Sequence, residues 1–254
     1  MGQPMDIKTL VEELKCQGRI LLQPGMTDHS KLAVDEPGLV SMLEMAYRKQ
    51  VAMRRIAYVP NKLTNGVISK LAHFLTDCND NRFMIVLDGS TATGKTTLMN
   101  AMRQTLWWLA EHKLVSDEMN LKICDATAIP GLRDSTREWY NLMSWPSYLG
   151  IEDLGCEPAE ILRWGNPLYP VRELITERYK LRLPMVVSTN LDSDQLREHL
   201  GLRIVSRMNE MAYYIHFENQ DFRKMNWYSH HPELRGKNSE LRSKTENENH
   251  ISIQ

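Results

Sequence analysis

The residues with the clearest chemistry stand in one run, Gly89-Ser90-Thr91-Ala92-Thr93-Gly94-Lys95-Thr96-Thr97. Its spacing is G-x-x-x-x-G-K-T, the pattern of a phosphate-binding loop. Glycines at both ends let the backbone turn tightly and approach an anion with no Cβ in the way. The amides from Ser90 to Thr96 can converge on a phosphate at the start of the following helix, where the helix dipole favours negative charge. Lys95 would reach the β- and γ-phosphates of ATP, and the Thr96 hydroxyl would bind Mg²⁺. A chance match in an ordinary turn is the competing account, and the flanks argue against it. Phe83–Leu87 is an unbroken apolar run, as an interior parallel strand requires. Leu98, Met99, Met102, Leu106 and Leu109 then recur at helical spacing.

Binding phosphate is one thing, and hydrolysis needs acids at the end of a neighbouring strand. The segment Tyr148-Leu149-Gly150-Ile151-Glu152-Asp153-Leu154-Gly155 supplies two, in the form of a Walker B segment. Glu152 would hold Mg²⁺ through water, and Asp153 would polarise the attacking water. Two solvated acids opening a loop would look the same. Val186-Val187-Ser188-Thr189-Asn190 ends another apolar run in polar groups. The Asn190 amide is placed to orient water and touch the γ-phosphate, although asparagine also commonly stops a strand. Arg203 and Arg207 are four apart and share one helix face. Most such pairs are solvated. In an oligomeric ATPase, Arg207 could enter a neighbour's site as an arginine finger, and Arg223 could touch the γ-phosphate within its own subunit.

The elements that must position these groups follow from pattern. A helix from about Asn65 to Leu75 precedes the loop strand. Later strands are expected over Asn120–Cys124, Ser147–Ile151, Pro184–Ser188 and Ala212–Phe217, with helices around Ser135–Leu142 and over Pro170–Lys180. Strands alternating with helices argue for a parallel sheet covered on both faces. Three regions are expected: a helical appendage over 1–60, a P-loop ATPase domain over 61–228 and a polar, disordered tail over 229–254. In the appendage, Ile7, Leu10, Val11 and Leu14 lie on one helix face. A second helix from near Gly38 to Met53 presents Met42, Met45 and Ala46. Packing against the main domain is the favoured reading of these stripes, and a docking surface the alternative.

Bulk numbers set limits. The 254 residues are 42% apolar and 25% charged, ordinary for a globular protein, and ample for one large α/β domain with an appendage. The formal net charge of −1 carries no global basic field, so any nucleic-acid contact must be a local patch. No secretory h-region stands at the start, and no apolar run is long enough to span a bilayer. The four cysteines, Cys16, Cys78, Cys124 and Cys156, are far apart with no C-x-x-C. They read as reduced, mostly buried thiols of a cytoplasmic protein.

The order of motifs, from Gly89–Thr96 through Ile151–Gly155, Ser188–Leu191 and Arg203–Asn209, resembles the DnaC/IstB-like AAA+ ATPases, which are replicative helicase loaders and transposition helper ATPases. The fragments Asp153–Pro158 (DLG-x-E-P) and Arg207–Met211 (R-x-N-E-M) look especially like DnaC-like proteins of phages and mobile elements. The resemblance covers about residues 60 to 225. It implies a three-layer α/β P-loop NTPase of the ASCE/AAA+ type, with a parallel five-stranded sheet of order 5-1-4-3-2. It further implies ATP with Mg²⁺, a ring or spiral of subunits, and binding to single-stranded DNA and to a helicase or a transposase. One departure bears on chemistry. The usual acids run Asp then Asp or Glu, and here Glu152 precedes Asp153. Both reaches change by a methylene, which touches the rate of hydrolysis more than binding.

The leading functional reading is therefore an ATPase that loads a replicative helicase onto single-stranded DNA. A transposition helper ATPase of the IstB type is the alternative within the family, and nothing in residues 1–60 separates the two. A slow ATP-dependent binding switch is suggested by the inverted acids. A P-loop kinase of small metabolites is opposed by the Glu152-Asp153 pair and Asn190, with no arginine-rich lid in sight.

Overall fold

The computed structural model describes residues 31–116, 119–218 and 221–222. The helix expected around Ile7–Leu14, Arg223 and the tail 229–254 lie outside the described residues. Helix α1 (Glu36–Met53) begins where the Asp35 carboxylate accepts the Gly38 amide at 2.7 Å, with Pro37 in the first turn. Helix α2 (Lys62–Thr76) is capped in the same way by Asn61, which accepts the Leu63 amide at 2.8 Å. Strand β1 (Met84–Gly89) leads through the glycine loop into α3 (Lys95–Glu111). Strand β2 (Leu121–Asp125) runs into a short 3-10 turn, α4 (Ile129–Leu132) and α5 (Thr136–Met143). Strand β3 (Tyr148–Leu154) is followed by a small antiparallel hairpin, β4 (Ile161–Arg163) and β5 (Asn166–Leu168). Helix α6 (Pro170–Lys180), β6 (Met185–Thr189), α7 (Ser193–Leu200), α8 (Leu202–Met211) and β7 (Ala212–Phe217) complete the described chain. Asp192 and Gln195 form a reciprocal capping box at the start of α7.

The main sheet is parallel throughout, in the order β2-β3-β6-β1-β7. With the hairpin strands set aside and its five strands counted along the chain, this is the order 5-1-4-3-2 that the resemblance implies. Strand β1 lies inside the sheet, between β6 and β7, and is buried on both faces, which explains its unbroken apolar run. Its side chains alternate between two cores. Ile85 and Leu87 join α1, α2 and α3 in one cluster. Met84 and Val86 join α6, α7 and α8 in the other. The result is a three-layer α/β fold.

The described part of the expected 1–60 appendage packs onto this body. Leu39, Leu43, Ala46 and Tyr47 of α1 are buried in the core cluster shared with α2 and α3, while Met45 faces outward. The cysteines differ from expectation. Cys78, in the turn after α2, and Cys156, in the loop after β3, are exposed, and Cys124 is half-buried. Loops supply two of these three positions, so the small apolar thiol finds no core there. All three are free thiols.

The far end of the sheet is held by Arg178. Its side chain is fully buried, and it donates to the carbonyls of Leu142 (3.2 Å), Trp145 (3.0 Å), Ser147 (2.9 Å) and Pro184 (2.6 Å). The Leu142 carbonyl belongs to α5 and the other three lie ahead of β3 and β6, so one guanidinium ties the entries of two adjacent strands to the end of a helix. Burial pushes the guanidinium down to about 9. The four carbonyl acceptors oppose that push, since each is a hydrogen bond that favours the charged form.

Candidate active site

The chemistry collects at the opposite end, where β1, β3 and β6 finish. Gly89 is the last residue of β1, paired in register with Phe217 of β7. Gly94 caps α3 in the left-handed region (φ 108°), and a Cβ there would run into the Tyr47 hydroxyl of α1. Ala92 also takes a positive φ, 62°. Such a backbone aims its amides inward, as an anion-binding loop requires. Ser90 and Thr91 are exposed at the rim, whereas Thr93 is buried and its hydroxyl donates to the Ser90 carbonyl at 2.9 Å. Thr96 and Thr97 lie in the first turn of α3, the former half-buried and the latter buried.

Lys95 sits on the floor of the loop, 5% exposed. Its Nζ donates to the carbonyls of Gly89 and Ser90, both at 2.7 Å. Burial lowers its pKa, and the carboxylates of Asp153 and Asp88 act in the opposite sense. The second acid of the pair is thus close enough to Lys95 to be felt electrostatically. Asp153 takes φ 55°, and its amide is held by the Ser188 hydroxyl at 3.0 Å. Glu152 is half-buried and pairs in register with Asp125 at the end of β2. The Thr189 hydroxyl donates to the Leu154 carbonyl at 2.8 Å, and Asn190 follows it, exposed. Loop lysine, both acids and the end of the Asn190 strand therefore share one rim of the sheet.

The two arginines part company. Arg203 is exposed at the start of α8. Arg207, expected to share that outward face, is half-buried against α6: its Nη1 donates to the Thr176 hydroxyl at 3.1 Å, and its guanidinium lies 5.2 Å from the Tyr179 ring centroid. The physical reason is the neighbouring helix, which covers that face and offers the guanidinium a hydroxyl acceptor and an aromatic face. Helix α8 descends from the rim that carries the glycine loop, since the Met211 carbonyl at its end accepts the amide of Phe83, the residue before β1. Arg203 is thus the arginine nearer that rim, by about one turn or 6 Å. Arg223 lies outside the described residues.

Sequence reasoning passed over three participants. Asp88, immediately before Gly89, places Oδ2 2.7 Å from Nδ1 of His216, while its Oδ1 is buried without a hydrogen-bond partner among the described residues. An acid directly before the first loop glycine was a readable signal. Tyr47 reaches the loop from α1, and burial drives its hydroxyl up to about 12. Phe222 donates its amide to the Ala92 carbonyl at 3.1 Å, joining the segment after β7 to the loop.

Loop and strand order together define a three-layer α/β fold of the P-loop NTPase type. Solved structures similar to this chain include the DnaC helicase loader, at 22% identity over 63% of this chain and 93% of that one, with a TM-score of 0.48. DnaI is similar at 20% identity over 68% of this chain and 93% of that one, with a TM-score of 0.48. A putative primosome component from Streptococcus pyogenes is similar at 18% identity over 69% of this chain and 97% of that one, with a TM-score of 0.47. No protein-family model and no curated protein matches the chain. Among the described residues no helix is long and apolar enough to cross a membrane.

Proposed function

We propose that this protein binds ATP with Mg²⁺ at the Gly89–Thr97 loop and hydrolyses it slowly, with stimulation by a partner. The observation that carries this reading is Lys95, a buried cation on the floor of a positive-φ loop, whose Nζ donates to two loop carbonyls. A phosphate entering the loop replaces those carbonyls with stronger, charged acceptors. No cluster of three or more His, Cys, Asp or Glu among the described residues could hold a metal alone. The donors present are oxygens, the Thr96 hydroxyl and the Glu152 carboxylate, and such a set suits Mg²⁺ shared with phosphates. Bound Mg²⁺ would neutralise charge developing on the transferred phosphoryl group. Asp153 then polarises the attacking water, Asn190 orients it, and Arg207 acts across a subunit interface after leaving Thr176.

The order of motifs supports the biological setting: a DnaC-like AAA+ protein of DNA replication that loads a helicase onto single-stranded DNA and assembles into a ring or spiral in ATP. A second reading, an ATP-dependent binding switch with scarce turnover, is favoured by the inverted acids and by the Ser188 hydroxyl that fixes the Asp153 backbone. One experiment addresses both. ATP turnover is measured with and without single-stranded DNA, alongside binding of a fluorescent ATP analogue. Turnover that rises with DNA supports the loader, and binding without turnover supports the switch. Absence of binding refutes the site itself.

A further inference from the structure

The fragment Asp153-Leu154-Gly155-Cys156-Glu157-Pro158 contributes only Asp153 to the chemistry above, yet its glutamate is buried. Among the described residues Glu157 is the one carboxylate in the buried class, its side chain 1% exposed. A carboxylate so placed is strongly unfavourable unless it is paired and hydrogen-bonded. Glu157 has a close partner at each carboxyl oxygen. Oε2 accepts the Gly155 amide at 2.8 Å, and Oε1 lies 2.7 Å from Nε2 of His199, near the end of α7. The His199 carbonyl in turn accepts Nη2 of Arg172, from α6, at 2.6 Å.

This pair is the last of four fastenings between the same two segments. Asp153 donates its amide to Ser188. Thr189 donates its hydroxyl to the Leu154 carbonyl. Gly155, at φ 102°, lies so close to Leu191 that any Cβ would overlap that side chain. Glu157 then grips His199. From Asp153 to Glu157 the acid-bearing loop is thus held to the exit of β6 and to α7. Two residues after His199 the chain passes Gly201 (φ 82°) into α8, which carries Arg203 and Arg207.

We infer that Glu157 and His199 are positioning residues, and that their pair sets the acid loop in register with α7 and, through Gly201, with the arginine-bearing helix. The placement of Asp153 at the loop rim and the placement of the helix that carries exposed Arg203 and half-buried Arg207 are then fixed together. This rests on the reading that the site hydrolyses a nucleoside triphosphate.

The test uses the full chain with Glu157→Gln, His199→Asn and both together. The glutamine is isosteric and can still accept the Gly155 amide. Melting temperature, affinity for a fluorescent ATP analogue, and kcat and KM for ATP are read for each. The expected result is a folded protein with affinity and KM within about twofold of wild type and kcat lower by roughly 10- to 100-fold, the scale of a small misplacement of reacting groups. The double variant should be no worse than the worse single, because the two residues act as one unit. Unchanged kcat in folded variants overturns the inference, and so do losses that multiply. A wild type that fails to bind the analogue refutes the nucleotide site instead. Should the variants not fold, hydrogen exchange on the wild type decides. A non-hydrolysable ATP analogue should slow exchange in residues 153–157 and in the last turn of α7 together, and protection of the loop alone overturns the coupling.

Discussion

Replacing Lys95 by methionine is the sharpest test of the nucleotide site, because the structure allows its effects on folding and on binding to be separated. In the free protein the variant loses two hydrogen bonds, to Gly89 and Ser90. The Ser90 carbonyl keeps the Thr93 hydroxyl as a donor, so only the Gly89 carbonyl loses its partner. Leaving a half-buried acceptor short of a donor costs at most about 1–3 kcal/mol. Relief from burying a cation offsets part of that, since burial already lowers the Lys95 pKa. A net loss of about 1–2 kcal/mol corresponds to a fall in Tm of roughly 2–8 °C for a body of this size. Binding changes more. Contacts from an ammonium to the β- and γ-phosphates are worth about 1.5–3 kcal/mol each, less what the lysine gives up by leaving its two carbonyls. The net is about 2–4 kcal/mol, or roughly 30- to 1000-fold in Kd for ATP. AMP offers neither phosphate, so its weak affinity should not move. Fluorescence titration with ATP and AMP, with a thermal melt as control, reads all three quantities. A folded Lys95→Met protein that binds ATP within threefold of wild type would refute the reasoning.

Asp153→Asn should keep nucleotide affinity and lose turnover by about 10²-fold or more, the usual scale for a general base, whereas Glu152→Gln should mainly raise the Mg²⁺ concentration needed; if Glu152→Gln alone abolishes turnover, the two roles are exchanged. Arg207→Ala should bind ATP but hydrolyse it poorly, since an arginine finger supplies roughly 10³-fold or more. Mixing it with Lys95→Ala protein, which keeps Arg207, should restore turnover, and a co-assembled mixture that stays inactive returns Arg207 to its packing role against Thr176 and Tyr179. Tyr47 is neutral in the fold up to about 12, against an ordinary value of 10.0. Its contribution to stability is fully present below the ordinary value and is lost as pH rises through the folded one. Denaturant melts should therefore show stability falling between about pH 10 and 12 in the wild type, with a shallower fall in Tyr47→Phe; equal slopes would contradict the burial argument.

How much of this was readable before the structure depended on whether the signal was local. Proline at a first helical turn and a periodic apolar face placed α6 at Pro170–Lys180, and an alternating run ended cleanly by Phe217 placed β7 at Ala212–Phe217. The P-loop was legible because glycine spacing and the flanking run are both short-range facts. The hairpin β4–β5 was missed because three-residue strands are too short to show a period, although Gly165 in its two-residue turn, Trp164-Gly165, was a cue. Burial of charge was invisible. Nothing local distinguishes Glu157 or Arg178 from a solvated acid or base, because only the assembled fold supplies His199 for one and four backbone carbonyls for the other. Arg207 failed in the same way: spacing assigned it a helix face, but not the helix that covers that face.

The Arg178 clamp divides the molecule's labours between its two ends. The strand entries it joins are expected to exchange their amides last, while the rim with the glycine loop carries exposed Ser90, Thr91 and Asn190 and is free to breathe. Selection can therefore retune the rim, lengthening one acid and shortening the next as in Glu152-Asp153, without loosening the frame that keeps β3 beside β6. A chain built in this way tolerates experiments in catalysis at one margin because its rigidity is stored at the other.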